Sequence, residues 1–292
     1  TTEIYTLSLH DALPIYTTNW THKPYHKLLD ETKQITEYCD QNYWNSIWFT
    51  EHHFNHEGME SCTNPLMLGA DAAARTKNIR IGQAANVITF HNPIRLAEDI
   101  ATLDQLSKGR VEVGVARGVY GREAINLNKE ADLKDQAKNF RLFAETLEIL
   151  KKAWSEKFFN HDGEFYTYPS PNYVWQHDMS PPSEEFMNME DSTMKKISVL
   201  PKPYQNPHPP IHQVVDGIRS IEWAAENNIN VIMWIPTVKA LKIRFEAYKN
   251  KRSEVTKKNV PLGEGVTLVR DMFVADTMER SEEHTSELQS QP

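Results

Sequence analysis

The sequence predicts an α/β fold, specifically a (β/α)8 barrel of parallel strands, and three observations point to it. Short runs of β-branched residues alternate with longer segments of helical period. The clearest strand, 111–115, ends in a turn at Arg117 and Gly118, where a parallel strand passes into a helix. Unusual polar residues also follow several other strands. In a barrel such strand ends form the rim of the active site.

Composition limits the class of protein. The chain has 292 residues with a formal net charge of -8, and 25% charged and 39% hydrophobic residues are ordinary for a globular protein. The acidic balance disfavours nucleic acids and anionic membranes as partners. Only Cys39 and Cys62 occur, and no apolar run approaches about 18 residues. The sequence therefore predicts a cytoplasmic enzyme without disulfides or a membrane span.

The predicted elements alternate along the chain. Six strands are predicted to start at Ile47, Ile79, Val111, Ile211, Val231 and Val266. Helical spacing of apolar residues predicts helices over 24–46 (with a break at Gln41 and Asn42), 64–76, 92–106, 131–154, 216–226 and 239–249. Between 158 and 210 the periodicity gives way to Pro, Asn, Tyr, Met and acidic residues. This excursion predicts a lid or a substrate-binding segment, with disorder as the alternative.

Both ends look foreign to this pattern. Residues 280–290 back-translate to a sequence that resembles a short-read sequencing adapter, and residues 1–15 resemble the opposite adapter. We therefore predict a barrel domain over 16–279 between adapter-like artefacts at 1–15 and 280–292. The barrel is then expected to be incomplete, with its first and eighth strands missing or replaced. Because alternate residues of 3–9 are apolar, this segment is expected to take the place of the first strand.

Three histidines follow the first predicted strand closely, at His52, His53 and His56. Their spacing does not match the helical His-Glu-x-x-His pair of zinc hydrolases, so a metal-dependent hydrolase remains only an alternative, beside a solvated loop. One buried histidine that transfers protons is favoured. Successive side chains leave a strand on opposite sides, so we expect His52 to serve chemistry and His53 to serve mainly structure.

Two further positions suit an anion. Arg117 offers a permanently charged, forked group, and Gly217 and Ser220 stand where a helix N-terminus presents amides and a hydroxyl. No P-loop is present, and the glycines after the strand at Val111 have the wrong spacing for a dinucleotide fingerprint.

Four segments resemble the bacterial luciferase-like, flavin-dependent monooxygenases. They are EHHF at 51–54, QAA at 83–85, HNPIRLAEDIATLDQLSKGRVEVGVARG at 91–118, and DGIRSIEWAAE at 216–226. The resemblance covers 16 to about 274. It implies a (β/α)8 barrel that uses reduced FMN as a co-substrate with O2 on a small organic substrate. It also implies a separate flavin reductase and a homodimer in the full-length protein.

The resemblance further assigns roles to individual residues. It implies that Arg117 binds the FMN phosphate, supported by the amide of Gly217 and the hydroxyl of Ser220. Arg141, on the helix after the third strand, is implied as a second phosphate ligand.

Other assignments concern the flavin ring and the chemistry. His52 matches the catalytic histidine, and Trp234 matches the aromatic residue that closes the flavin pocket. The bond between Ala84 and Ala85 resembles a non-prolyl cis peptide beneath the isoalloxazine ring.

Two departures argue against light emission more than against flavin binding. Ala116 stands where light-emitting luciferases have a reactive cysteine, and Glu123 stands where they have an aspartate. The alternatives left open are a deazaflavin-dependent dehydrogenase of the same fold, the metal-dependent hydrolase, and a flavin-binding relative without catalytic activity.

Overall fold

The computed structural model describes residues 6–9, 25–56, 62–234, 237–269 and 277. The chain divides into two compact units, Thr1–Val214 and Val215–Pro292. This division falls inside the barrel domain that the sequence predicts over 16–279.

The elements of the first unit alternate as predicted. Its strands are β1 (Thr6–Leu9), β2 (Ser46–Phe49), β3 (Arg80–Gln83), β4 (Asn86–Val87), β5 (Val111–Ala116), β6 (His161–Asp162), β7 (Thr167–Tyr168) and β8 (Ile211–Val215), whose last residue opens the second unit. Its helices are α1 (Tyr25–Gln41), α2 (Pro65–Arg75), α3 (Pro93–Ser107), α4 (Gly121–Leu127) and α5 (Gln136–Ser155). The second unit contains α6 (Ile218–Glu226), β9 (Asn230–Trp234), α7 (Val238–Thr256) and β10 (Val266–Val269).

The main sheet of the first unit is parallel throughout. Its strands follow the order β1, β2, β3, β5, β8, and β4 also pairs with β5. Ile47 lies opposite Ile81, which lies opposite Val111, and all three are fully buried. Such continuous apolar strands are typical of a parallel sheet covered by helices. The predicted α/β class is confirmed. The sequence also predicted that segment 3–9 takes the place of the first strand, and residues 6–9 of this segment form β1, which pairs in parallel with β2.

The helices begin where local chemistry favours them. α3 starts after Asn92, whose side chain accepts hydrogen bonds from the N–H groups of Ile94 and Arg95, and Pro93 occupies its first position. α2 starts in the same way with Asn64 and Pro65. In the second unit, β9 and β10 are parallel partners. Among the described residues, none of the helices has the length and apolar character needed to cross a membrane.

The strand predicted from Ile79 is divided in two. A cis peptide bond between Ala84 and Ala85 separates β3 from β4, as predicted. The backbones approach closely here, because a Cβ atom at Gly114 would overlap the carbonyl oxygen of Gln83. α4 was not predicted, since its seven residues begin with glycine and are too few to show helical periodicity. α7 reaches Thr256, beyond the predicted end at 249, through two mostly polar turns.

The excursion at 158–210 is folded rather than disordered. It contains the antiparallel hairpin β6–β7 and isolated antiparallel bridges such as Phe159 to Ile197 and Met187 to Met194. Phe159 and Met187 are buried, so the segment has apolar anchors of its own. Its role as a lid stays a prediction.

Candidate functional site

A buried carboxylate lies at the centre of the region that follows β2. Glu51 is only 2% exposed. Its Oε1 lies 2.7 Å from Nε2 of His91 and 3.0 Å from Nε2 of His53, and its Oε2 accepts a hydrogen bond of 2.6 Å from the N–H of Val87. Glu51 therefore joins the ends of β2 and β4 and the turn before α3, which are separate in sequence.

These contacts set the protonation of the pair. Burial raises the pKa of Glu51, but the hydrogen bonds from His53, His91 and Val87 and the charge of His91 outweigh it and hold this pKa below its ordinary value of 4.5. Burial lowers the pKa of His91, but the bond to Glu51 and its charge, with a smaller contribution from Asp99, hold it above 6.5. Glu51 and His91 are therefore both charged between about pH 4.5 and pH 6.5.

Cys62 lies in the same region and is not a nucleophile near neutral pH. Burial raises the pKa of its thiol to about 12, and the negative charge of Glu51 acts in the same direction, against one backbone hydrogen bond that lowers it. Because the thiolate is the reactive form, this side chain remains an inert thiol.

His52 faces a different carboxylate from His53. Its Nδ1 lies 3.5 Å from Oε1 of Glu123, a fully buried residue of α4. The same oxygen accepts a hydrogen bond of 2.6 Å from the N–H of His53. The imidazole also lies against Tyr120, with ring centroids 5.5 Å apart. The two neighbouring histidines thus contact different acids, whereas the assignment of catalysis to His52 stays a prediction.

Arg117, at the end of β5, is a half-buried cation without an anionic partner among the described residues. Its guanidinium stacks on Phe140, 5.8 Å from the ring centroid, and burial lowers its pKa. Its backbone carbonyl accepts bonds of 3.2 Å from Thr89 and from Asn139, so the turn itself is held firmly. Because a buried charge is costly when it is unpaired, this arrangement favours an anionic ligand.

Buried polar atoms elsewhere in the sheet also lack partners. Within the described residues, Oγ1 of Thr50, Nε2 of Gln83 and Oε1 of Gln213 are buried and make no hydrogen bond. Each such atom costs about 1–3 kcal/mol. Together with Arg117, they fit a ligand that combines an anionic group with a polar edge.

Other residues predicted to act in the site have different surroundings. Arg141 is 52% exposed and forms a two-pronged ion pair with Glu164, at 2.7 and 3.0 Å, so its guanidinium already has an anionic partner. Nε2 of His53 lies on Glu51, and no three His, Cys, Asp or Glu residues in the described part of the chain are arranged to hold a metal ion.

The second unit contains the other residues that the sequence predicts to bind the cofactor. Gly217 precedes α6, and no described side chain caps the first amides of this helix. Ser220 lies in its first turn. A helix N-terminus of this kind attracts anions. Trp234 ends β9 and is 37% exposed. These positions are compatible with the predicted roles, which the structure does not test.

Parallel strands in this order, with buried polar groups and Arg117 after them, are typical of the α/β barrel class. The model of the luciferase-like monooxygenase family matches residues 13–289, and the chain belongs to this family. The family predicted from the four sequence segments is thereby confirmed.

Individual relatives are distant. The chain is 26% identical over 267 residues to the oxygenase component of the flavin-dependent trigonelline monooxygenase of Acinetobacter baylyi, covering 90% of this chain and 64% of the relative. It is 27% identical over 232 residues to an alkanal monooxygenase alpha chain of Photorhabdus luminescens, covering 78% and 53%.

A solved structure shows the same fold. The oxygenating constituent of the 3,6-diketocamphane monooxygenase of Pseudomonas putida, in complex with FMN, superposes with a TM-score of 0.73 at 22% identity, covering 97% of this chain and 71% of that one. The chain thus spans between about half and two thirds of the length of the two sequence relatives above.

Proposed function

We propose that the protein is the oxygenase component of a flavin-dependent monooxygenase, which uses reduced FMN and O2 to oxygenate a small organic substrate. Family membership and the names of the two sequence relatives support this proposal. The observation that carries it is Arg117, a half-buried cation at a strand end without an anionic partner among the described residues.

The residues present fit FMN. Arg117 would hold the phosphate, with the amide of Gly217 and the hydroxyl of Ser220 in support. Trp234 and the Ala84–Ala85 segment would border the ring. The unsatisfied polar atoms of buried strand residues suit its polar edge.

Each part of the site has a separate task. Reduced FMN, when bound, supplies the electrons that activate O2. The protein excludes water, because the strand ends are buried, and it moves a proton at the imidazole of His52. Glu51 holds His53 and His91, so these two histidines serve the shape of the site.

The family also indicates partners. We propose that a separate flavin reductase delivers reduced FMN, as the term oxygenase component in the name of the Acinetobacter relative implies for that protein. We further propose that the protein works as a homodimer in the cytoplasm.

Arg117→Ala tests the phosphate assignment. FMN is titrated into the wild type and the variant while flavin fluorescence is followed. We expect the variant to lose on the order of 1.5 to 3 kcal/mol of binding, or about ten- to a hundredfold in Kd. Arg141→Ala is the matched control, because its guanidinium is engaged by Glu164 at the surface. An unchanged Kd for Arg117→Ala would contradict the assignment.

Turnover separates the proposed reaction from its alternatives. The protein is supplied with chemically reduced FMN, O2 and either trigonelline or a long-chain alkanal as a probe substrate, and product is measured by mass with 18O2. Incorporated 18O supports monooxygenation. Turnover of an alcohol with a deazaflavin alone, without O2, would replace the proposal by a dehydrogenase.

A further inference from the structure

We propose that Arg244 is a positioning residue for the phosphate site, because it holds the carboxylate of Asp216 away from the first amides of α6. Without Arg244, this carboxylate would compete with the phosphate for those amides. Both residues and the helix lie in the second unit. The inference rests on the proposed function, whose phosphate assignment to Gly217 and Ser220 it deepens.

The start of α6 is open to an anion. Gly217 immediately precedes the helix, and no described side chain accepts a hydrogen bond from its first amides. The free amides at the start of a helix of nine residues attract negative charge. A Cβ atom at Gly217 would meet no atom within 4 Å, so no described side chain fills the space beside this residue.

Asp216 is an anion of the chain itself that is well placed to occupy these amides. It directly precedes Gly217. An aspartate side chain readily accepts a hydrogen bond from the N–H two residues further along the chain, which here is the N–H of Ile218. The negative charge is also favourable at this end of the helix. A carboxylate bound in this way would exclude a phosphate group from the same amides.

Arg244 of α7 binds this carboxylate instead. Its Nη2 donates a hydrogen bond of 2.6 Å to Oδ1 of Asp216. The side chain of Arg244 is only 18% exposed, whereas that of Asp216 is 90% exposed and has room for other rotamers. An ion pair with such an exposed acid contributes little to stability. The contact therefore matters mainly for the position of the carboxylate.

Paired titrations with FMN and riboflavin test the proposal, because riboflavin lacks the phosphate. Flavin fluorescence gives both Kd values for the wild type and for Arg244→Gln. We expect Arg244→Gln to weaken FMN binding about two- to tenfold, which corresponds to one ordinary hydrogen bond made by the competing carboxylate. Riboflavin binding should not change. An unchanged Kd for FMN overturns the proposal.

Asp216→Ala distinguishes this role from direct binding of the phosphate by Arg244. The side chain of Asp216 is exposed, so we expect the variant to fold. It should bind FMN at least as tightly as the wild type, and the double variant with Arg244→Gln should regain wild-type affinity. A double variant that still binds FMN weakly overturns the proposal, because Arg244 then contacts the phosphate itself. Weaker FMN binding by Asp216→Ala alone also overturns it.

Arg252→Gln is the matched control on the same helix. Arg252 contacts the opposite end of α6, through the side-chain oxygen of Asn228 and the carbonyl oxygen of Ala225. We expect this variant to leave both Kd values unchanged. A loss of FMN affinity as large as that of Arg244→Gln would overturn the proposal, because any loosening of α6 would then explain the effect.

Arg244→Lys keeps the positive charge, and we expect it to retain most of the preference for FMN over riboflavin. Failure of the proposed function has a different signature from failure of the inference. A wild type that binds riboflavin as tightly as FMN contradicts the phosphate assignment and the inference with it. A wild type that prefers FMN, beside an Arg244→Gln variant with the same preference, contradicts the inference alone.

Discussion

Two of the buried groups of the first unit in which histidines meet carboxylates differ in what is left unsatisfied. One follows β2 and comprises Glu51, His52, His53, His91 and Glu123, here called the β2 site. The other joins Glu145 of α5 to His161 of β6, here called the α5 brace. The residue types are the same. Only the β2 site keeps a buried carboxylate oxygen, Oε2 of Glu123, without a hydrogen-bond partner among the described residues.

In the α5 brace, both carboxylate oxygens of Glu145 accept hydrogen bonds. Glu145 accepts bonds of 2.9 to 3.1 Å from three successive backbone N–H groups at 164–166, in addition to the His161 contact. Gly163 permits this approach, because a Cβ atom there would overlap Oε1 of Glu145. The brace fastens the β6–β7 turn to α5. The two groups therefore differ at the carboxylate, whose hydrogen-bonding capacity is used up in the α5 brace and not in the β2 site.

The largest expected effect separates the two histidines of the β2 site. His52→Ala should lower product formation by about 10²- to 10⁴-fold, the usual contribution of a proton-transfer group, while FMN still binds and hydrogen peroxide rises. His53→Ala should instead lower the free energy of unfolding, because Glu51 loses a hydrogen-bond partner. Product by mass, peroxide by a coupled assay and urea unfolding distinguish the two outcomes.

Equal oxygenation by His52→Ala and the wild type would remove His52 from the mechanism. A large loss of product in His53→Ala, at unchanged stability and FMN binding, would exchange the roles of the two residues.

The next largest effect concerns the buried acids of the two groups, Glu51 and Glu145. Glu51→Gln and Glu145→Gln should both lower the free energy of unfolding, by about 1–3 kcal/mol for each buried donor left without its acceptor. Only Glu51→Gln should also reduce oxygenation, because Glu51 binds the amide of Val87 close to the Ala84–Ala85 segment. Urea midpoints and product yields measured on the same preparations provide the comparison. Equal loss of product in both variants would show that activity merely follows stability.

The sequence predicted much of this fold and less of the site. The periodicity and spacing of apolar residues predicted the main strands and most helices, because these signals depend on residues that are close together in the chain. The family could be predicted because the segment 91–118 carries many matching residues in one run. The hairpin β6–β7 was missed, since strands of two residues leave no alternation to detect.

The contacts within the β2 site were missed for a different reason. Glu51 lies 40 residues from His91, and Glu123 lies 70 residues from His53. No local pattern links such partners. Glu123 was noted only as a departure from the family, and His91 only as the first letter of a motif. The structure shows these contacts because the fold brings together segments that are far apart in the chain.

The smallest expected effect is a pH dependence of stability in the β2 site. The pKa of Glu51 is held below 4.5, so its contribution to stability is present above about that pH and is lost as the pH falls through the folded value. The pKa of His91 is held above 6.5, so its contribution is complete below that pH and is lost as the pH rises through the folded value. The pair therefore contributes fully only between about pH 4.5 and 6.5.

His91→Gln isolates this contribution. The urea midpoints of the wild type and of the variant are measured from pH 5 to 9, and the difference between them removes the other titrating groups. The difference should be largest near pH 6 and shrink toward pH 9. It should stay below about 1 kcal/mol, because the His91 side chain is 37% exposed and solvent screens the pair. His161→Gln serves as the parallel variant in the α5 brace. A difference for His91→Gln that is independent of pH would show that Glu51 binds His91 by a neutral hydrogen bond alone.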